Sequence, residues 1–235
     1  MSKLIIGLSG RMGSGKDTVA NMIKEKFQNV EILHFSDALK NICLDVFNCT
    51  YQQVYGQEKE VEFFTPLVIT HDHILELMYW IQKSRVIPNY KNIADNAYSL
   101  LSEFIGKEMR TPRQLMQLLG TEMIRGCFVD SYHIDYTDLR VTLSTKDIIL
   151  IPDVRFFNEK EWLRSKGGIA VLVVGRQREK YHQYASHASE SELAEDQDYD
   201  YVLNNTGTLE ILNYNVDSMF KDLPQGLSDG SIRYK

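Results

Sequence analysis

The sequence predicts an α/β domain whose parallel, five-stranded sheet carries helices on both faces. Three observations support this. Short, β-branched runs are apolar almost without interruption, as strands covered on both faces are. Segments of helical periodicity lie between them. Strand and helix alternate toward both ends of the chain, the order of a doubly wound sheet. Strands are expected at 3–9, 30–35, 147–152, 169–175 and 201–204, and helices at 16–27, 37–47, 74–81, 93–105, 112–125, 157–166 and 208–220. In the helix at 112–125, Thr111 supplies a cap and Pro112 occupies the first helical position. The chain shows no repeat, low-complexity segment or Pro/Gly linker, so one domain is expected over 1–225, with a helical insertion at about 50–110 and a loose tail at 226–235.

Bulk composition narrows the function. Of 235 residues, 43% are apolar and 25% charged, enough to bury a real core. Asp plus Glu (32) exceeds Lys plus Arg (26), and a net charge of −6 argues against general affinity for a nucleic-acid backbone. Cys43, Cys49 and Cys127 lack metal-type spacing and read as reduced, structural thiols of a cytoplasmic protein. No stretch resembles a signal peptide or approaches membrane-spanning length.

The first strand runs into Gly10-Arg-Met-Gly13-Ser14-Gly15-Lys16, which fits G-x-x-x-x-G-K. Such a loop wraps backbone N–H groups around phosphate oxygens, the lysine reaches the outer phosphates, and the helix N-terminus adds its positive dipole end. A strand before it and a helix after it are the context this P-loop chemistry needs. Asp17 stands where the usual pattern has the magnesium-binding Ser or Thr, and Thr18 follows one place later. Asp17 could hold Mg²⁺ through a water, orient an acceptor, or only favour the helix start electrostatically. There is no Asn-Lys-x-Asp base reader for a G protein, and Asp153 is followed by Val154 and Arg155 rather than a second acid as in motor ATPases. Small-molecule kinases fit better.

Three further stretches collect phosphate-handling chemistry. The expected strand at 147–152 delivers Asp153, Arg155 and Glu159 at its carboxyl end, where open α/β sheets bind ligands. Arg113, Gln117 and Thr121 recur at i, i+4 on one helix face. Lys40 falls in the first turns of the helix after strand two.

With these landmarks the chain resembles the deoxynucleoside monophosphate kinases of bacteriophages and their relatives. The resemblance rests on Ser14-Gly-Lys-Asp-Thr18 with its unusual Asp, Arg113-Gln-Leu-Met-Gln-Leu-Leu-Gly-Thr-Glu122, Pro152-Asp-Val-Arg-Phe-Phe-Asn-Glu159, the His187-Ala-Ser-Glu stretch and Leu203-Asn-Asn-Thr-Gly-Thr-Leu-Glu210, in the family's order. It is weakest over 50–105, beyond Gly56-Gln-Glu-Lys-Glu60. It implies a P-loop kinase fold, for which the sheet order 2-3-1-4-5 is expected, and transfer of the γ-phosphate of ATP to a deoxynucleoside 5′-monophosphate with Mg²⁺. Gly10, Gly13, Ser14, Gly15, Lys16, Asp17 and Thr18 would hold ATP, with Asp17 toward the metal, and Asn205, Thr206 and Gly207 would edge the adenine. Lys40, Lys59, Arg113, Gln117, Arg155 and Glu159 would hold the acceptor, with Asp153 as the carboxylate beside it. Arg176, Arg178 and His187 would belong to a lid at about 175–192 that closes over the transferring group. Lys16, Asp153, Arg155 and Arg176 are the expected catalytic set. The implied setting is deoxynucleotide supply in a cytoplasm, the host's if the chain is viral. Related phage kinases are often dimers, which leaves a homodimer open.

Two rivals share the loop: a kinase of another phosphorylated metabolite, such as dephospho-coenzyme A or phosphomevalonate, and an NTP-binding switch that transfers nothing. The first is not expected to carry the 113–122 stretch, and the second has no use for a second basic cluster. Thr70-His-Asp-His73 has too few ligands for a metal site. His34 reads as a core histidine. Phe63, Phe64, Tyr79, Trp80, Tyr90 and Tyr98 read as core of the insertion, though one or two of these rings could sandwich a nucleobase.

Overall fold

The computed structural model describes residues 3–175 and 198–222, which form two compact units: one built from the N-terminal segment to His34 and the chain from Arg140 onward, the other from Phe35–Leu139. The insertion expected at 50–110 lies within the second unit, and the tail at 226–235 lies outside the described residues.

The first unit contains strands β1 (Leu4–Ser9), β2 (Val30–Ile32), β5 (Ile148–Ile151), β6 (Ile169–Gly175) and β7 (Tyr201–Asn205), all parallel in the order β2-β5-β1-β6-β7. For the five strands expected from the sequence this is the order 2-3-1-4-5. β1 and β5 are buried along their whole length, which explains their unbroken apolar character. On one face, Ile6 and Leu8 join Val19 and Ile23 of α1 (Lys16–Lys26) and Leu212, Val216 and Met219 of α9 (Leu209–Asp222) in a single core. Phe27 against Phe220 and Lys26 against Asp217 tie α1 to α9. On the other face α8 (Phe157–Ser165) lies so close to β1 that a Cβ on Gly7 would come within 2.4 Å of Leu163.

The second unit is largely helical. It contains α2 (Asp37–Asp45), α3 (Tyr51–Val54), a 3₁₀ turn at Glu58–Glu60, α4 (His71–Ser84), α5 (Lys91–Ser102) and α6 (Pro112–Gln117). It has its own core, with Ile42, Ile74, Leu77, Ile81, Leu101, Leu115 and Leu119 fully or almost fully buried. Thr111 caps α6, its side chain accepting from the Gln114 N–H, and Pro112 opens the helix as expected. The Thr-His-Asp-His stretch starts α4: Thr70 and His73 cap each other's backbone N–H groups. The three cysteines are free, buried thiols.

Four features depart from the sequence expectation. The segment 112–125 is α-helical only through α6 and then widens into a π-helix at Leu118–Arg125, around Gly120. Leu67–Val68 and Glu108–Met109 pair as a short antiparallel ribbon, β3 and β4, too brief to show a periodicity. Helix α7 (Tyr132–Leu143), within which the unit boundary falls, was not expected at all: polar His133 and Thr137 are buried among Tyr132, Ile134 and Val141, so no clean apolar repeat marks it. Finally, Phe64 is fully exposed, and Tyr79 and Tyr98 are exposed rather than core.

Candidate functional site

In the first unit the glycine loop bridges β1 and α1, and its backbone is shaped for close approach. Gly10 has φ +137°, and a Cβ there would lie 2.4 Å from the Val173 carbonyl oxygen. Gly15, at φ 96° and ψ 22°, is the N-cap of α1 and has no side chain to satisfy the first N–H groups of the helix. Those groups and the helix dipole face whatever occupies the loop, the arrangement that suits an anion. Lys16 curls back over the loop, its Nζ donating to the carbonyl oxygens of Gly10 (2.6 Å) and Arg11 (3.0 Å). Ser14 is 5% exposed and its Oγ has no hydrogen-bond partner among the described residues, an orphaned polar atom inside the loop.

The end of the last strand meets this loop. Asn205 Nδ2 donates to the Ser14 carbonyl oxygen at 2.8 Å. Gly13, Ser14, Gly15, Thr18, Asn205, Gly207 and Leu209 line one cavity of about 270 Å³. Thr206 instead turns to Asn204, whose Oδ1 accepts from both its N–H and its hydroxyl, bracing the β7–α9 turn. The structure thus brings six of the residues predicted for ATP together around one cavity; Asp17, exposed in the first turn of α1, is not among its lining residues.

Past the carboxyl end of β5, Asp153 is buried in a turn, and Arg155 follows it before α8. Glu159, 2% exposed, accepts from the backbone N–H groups of Arg155 (2.8 Å) and Phe156 (3.2 Å). Its carboxylate therefore closes the start of α8 and holds the backbone at Arg155.

In the second unit Lys40 lies in the first turn of α2, its Nζ 4.0 Å from Asp37 and 5.0 Å from the centre of the Tyr55 ring. Arg113, near the start of α6, donates through Nε to Glu60, the neighbour of Lys59 in the 3₁₀ turn. Gln117 sits half-buried where α6 gives way to the π-helix. A second cavity, of about 510 Å³, is lined in part by Asp45, Trp80, Lys83 and Tyr136, and Trp80 Nε1 donates to Asp45 at 2.9 Å. Arg176, Arg178 and His187, with the lid expected at 175–192, lie outside the described residues apart from Gly175.

Sequence reasoning missed Glu60, whose partner is 53 positions away, and Leu209, an ordinary helix-start residue on the cavity wall. Neither has a local signature. Among the described residues no three His, Cys, Asp or Glu side chains cluster to hold a metal. One carboxylate at Asp17 and one hydroxyl at Thr18 nevertheless suit Mg²⁺, which keeps several waters and takes few protein ligands beside substrate phosphates. No described helix is long and apolar enough to cross a membrane.

Residues 3–216 match the family described as deoxynucleotide monophosphate kinase. A putative deoxynucleotide monophosphate kinase of Acanthamoeba polyphaga mimivirus is 26% identical over 219 residues, covering 88% of this chain and 91% of that one. The deoxynucleoside-5′-monophosphate kinase of Escherichia phage T5 is 26% identical, with 80% and 84% covered. The deoxynucleotide monophosphate kinase of Escherichia phage RB69 is 25% identical, with 92% and 99% covered. With the family matched across nearly all of its length, the chain belongs to the deoxynucleotide monophosphate kinases.

Proposed function

We propose that this chain is a phosphotransferase that moves the γ-phosphate of ATP to a deoxynucleoside 5′-monophosphate, giving ADP and the deoxynucleoside diphosphate for DNA synthesis. The observation that carries the reading is the glycine loop, with its uncapped helix start and Lys16, in a chain matched to this family over 3–216. In the reaction an acceptor phosphate oxygen forms a bond to the γ-phosphorus as the bond to the ADP oxygen breaks. That oxygen is already ionised near neutral pH, so little general-base work is needed, and positioning with charge neutralisation dominates.

On this reading the loop N–H groups and Lys16 hold the outer phosphates of ATP, Lys16 exchanging its loop carbonyls for phosphate oxygens. Ser14 supplies its hydroxyl to the same group, and Asn205 keeps the loop in shape. Gly207 and Thr206 edge the adenine. Asp17 and Thr18 would hold Mg²⁺, which supplies charge neutralisation at the outer phosphates. Arg155, held by Glu159, and Lys40, Lys59 and Arg113 neutralise the acceptor phosphate, arginine's fork suiting two oxygens at once. Gln117 hydrogen-bonds the acceptor, and Asp153 organises the water or phosphate beside it.

The test is a coupled assay of ADP release, with ATP–Mg²⁺ and each of the four deoxynucleoside monophosphates or their ribose counterparts. Turnover with one or more deoxy forms and little with ribose forms is expected. Silence with all eight, in a protein that binds ATP, would refute the acceptor assignment and favour a kinase of another phosphorylated metabolite.

A further inference from the structure

One buried charge in the first unit has no place in the reaction above. Lys160, on α8 immediately after Glu159, is 4% exposed. An ammonium is costly to take out of water, and a lysine so deeply buried is retained only where several groups compensate it. Here its Nζ lies 4.2 Å from the centre of the Tyr199 ring and 3.8 Å from Asp198 Oδ2. Asp198 is held in turn by Arg164, which donates to its backbone oxygen (2.9 Å) and pairs with its carboxylate (3.0 Å). Asp200 locks the same stretch to β6, its carboxylate accepting from the Ala170 N–H at 2.8 Å.

The Tyr199 hydroxyl donates to Ser9 Oγ at 3.1 Å. Ser9 is buried, pairs with Leu172 in β6, and immediately precedes Gly10, the first glycine of the loop. At Gly10 the backbone lies so close to β6 that a side chain would begin 2.4 Å from the Val173 carbonyl oxygen. Ser9 therefore holds the point where the loop leaves the sheet, and its side chain accepts a hydrogen bond from Tyr199. A cation over the face of a phenol draws electron density from the ring and strengthens its hydroxyl as a donor.

We propose that Lys160 is a positioning residue for the phosphate-binding loop, acting through the Tyr199 ring on Ser9. The inference rests on the assignment of that loop to ATP. Lys160 touches neither substrate. It fixes the tyrosine, the tyrosine fixes the end of β1, and the loop N–H groups then start from one defined origin.

The experiment measures ATP affinity by calorimetry, Michaelis constants for both substrates and thermal stability, on the full chain and on Lys160→Met, Tyr199→Phe and the double variant. Methionine keeps the length and removes the charge; phenylalanine keeps the ring and removes one hydroxyl. Each single variant is expected to weaken ATP binding about tenfold, with the Michaelis constant for the monophosphate unchanged. The double variant is expected to be no worse than the poorer single, because both cut one path. Losses that multiply overturn the relay. So does a lower melting temperature with unchanged ATP affinity, which would mark a merely structural lysine. If Lys160→Met does not fold, Tyr199→Phe decides alone: unchanged ATP affinity overturns the proposal. A wild-type chain that binds no ATP would overturn the loop assignment and this inference with it, whereas normal wild-type binding matched by the variants would overturn this inference only.

Discussion

Replacing Gly15 by alanine puts the geometry of the loop to a quantitative test. Gly15 sits at φ 96°, ψ 22°, a left-handed conformation that costs an L-residue about 1–2 kcal/mol. A Cβ there would lie 2.1 Å from Asn205 Nδ2. That atom is the end of a side chain and can swing away, but doing so gives up its hydrogen bond to the Ser14 carbonyl, worth about 1 kcal/mol. Gly15→Ala should therefore cost about 2–3 kcal/mol in all. Asn205→Ala alone should cost about 1 kcal/mol, the lost bond. Combined, the two should cost no more than Gly15→Ala, because the alanine has already displaced the asparagine; the cycle should show a coupling of about 1 kcal/mol. Urea unfolding of the four proteins, with ATP affinity measured beside it, captures the cost whether the strained loop persists or relaxes. A full second loss when Asn205→Ala is added to Gly15→Ala would refute the reasoning, as would a Gly15→Ala protein unchanged in both measurements.

Two further expectations concern the second unit. Arg113→Ala removes a cation assigned to the acceptor phosphate and should raise the Michaelis constant for the monophosphate by about tenfold or more, and that for ATP far less; equal changes in steady-state kinetics would place Arg113 on the wrong side of the reaction. Tyr132 is fully buried, its hydroxyl donating to Ser84 Oγ at 3.1 Å, and burial pushes the phenol well above its ordinary range. Because the folded value is the higher one, this contribution is complete below the unfolded value near pH 10 and is lost as pH rises from there toward the folded value. Tyr132→Phe should lose about 1 kcal/mol at neutral pH but show a flatter decline above about pH 10, read from urea midpoints across that range; parallel declines would contradict it.

The sequence by itself determined the five-stranded sheet and the glycine loop, because both are written locally. β1 and β5 are buried on two faces and so read as unbroken apolar runs, and the loop is a run of seven residues between a strand and a helix. Glycine positions and a lysine at fixed spacing are enough to specify its chemistry. Local pattern served less well where burial and polarity diverge. Buried polar His133 and Thr137 broke the apolar pattern of α7, and exposed rings at Phe64, Tyr79 and Tyr98 looked like core. The departure from α to π winding after Gln117 also left no periodic trace, since the two forms bury much the same apolar residues.

Only the tertiary structure decided what braces the loop and the candidate acceptor groups. Asn205 reaches Ser14 across 191 positions, Tyr199 reaches Ser9 across 190, and Arg113 reaches Glu60 across 53. The carboxylate of Glu159 accepts from two backbone N–H groups and holds the backbone at Arg155, contacts that its residue type alone does not announce. A hydrogen bond depends on distance and angle between two atoms, and these come together only when the sheet and its helices have packed. Residue type and spacing announce which groups a chain possesses; the packed chain alone assigns each donor its acceptor.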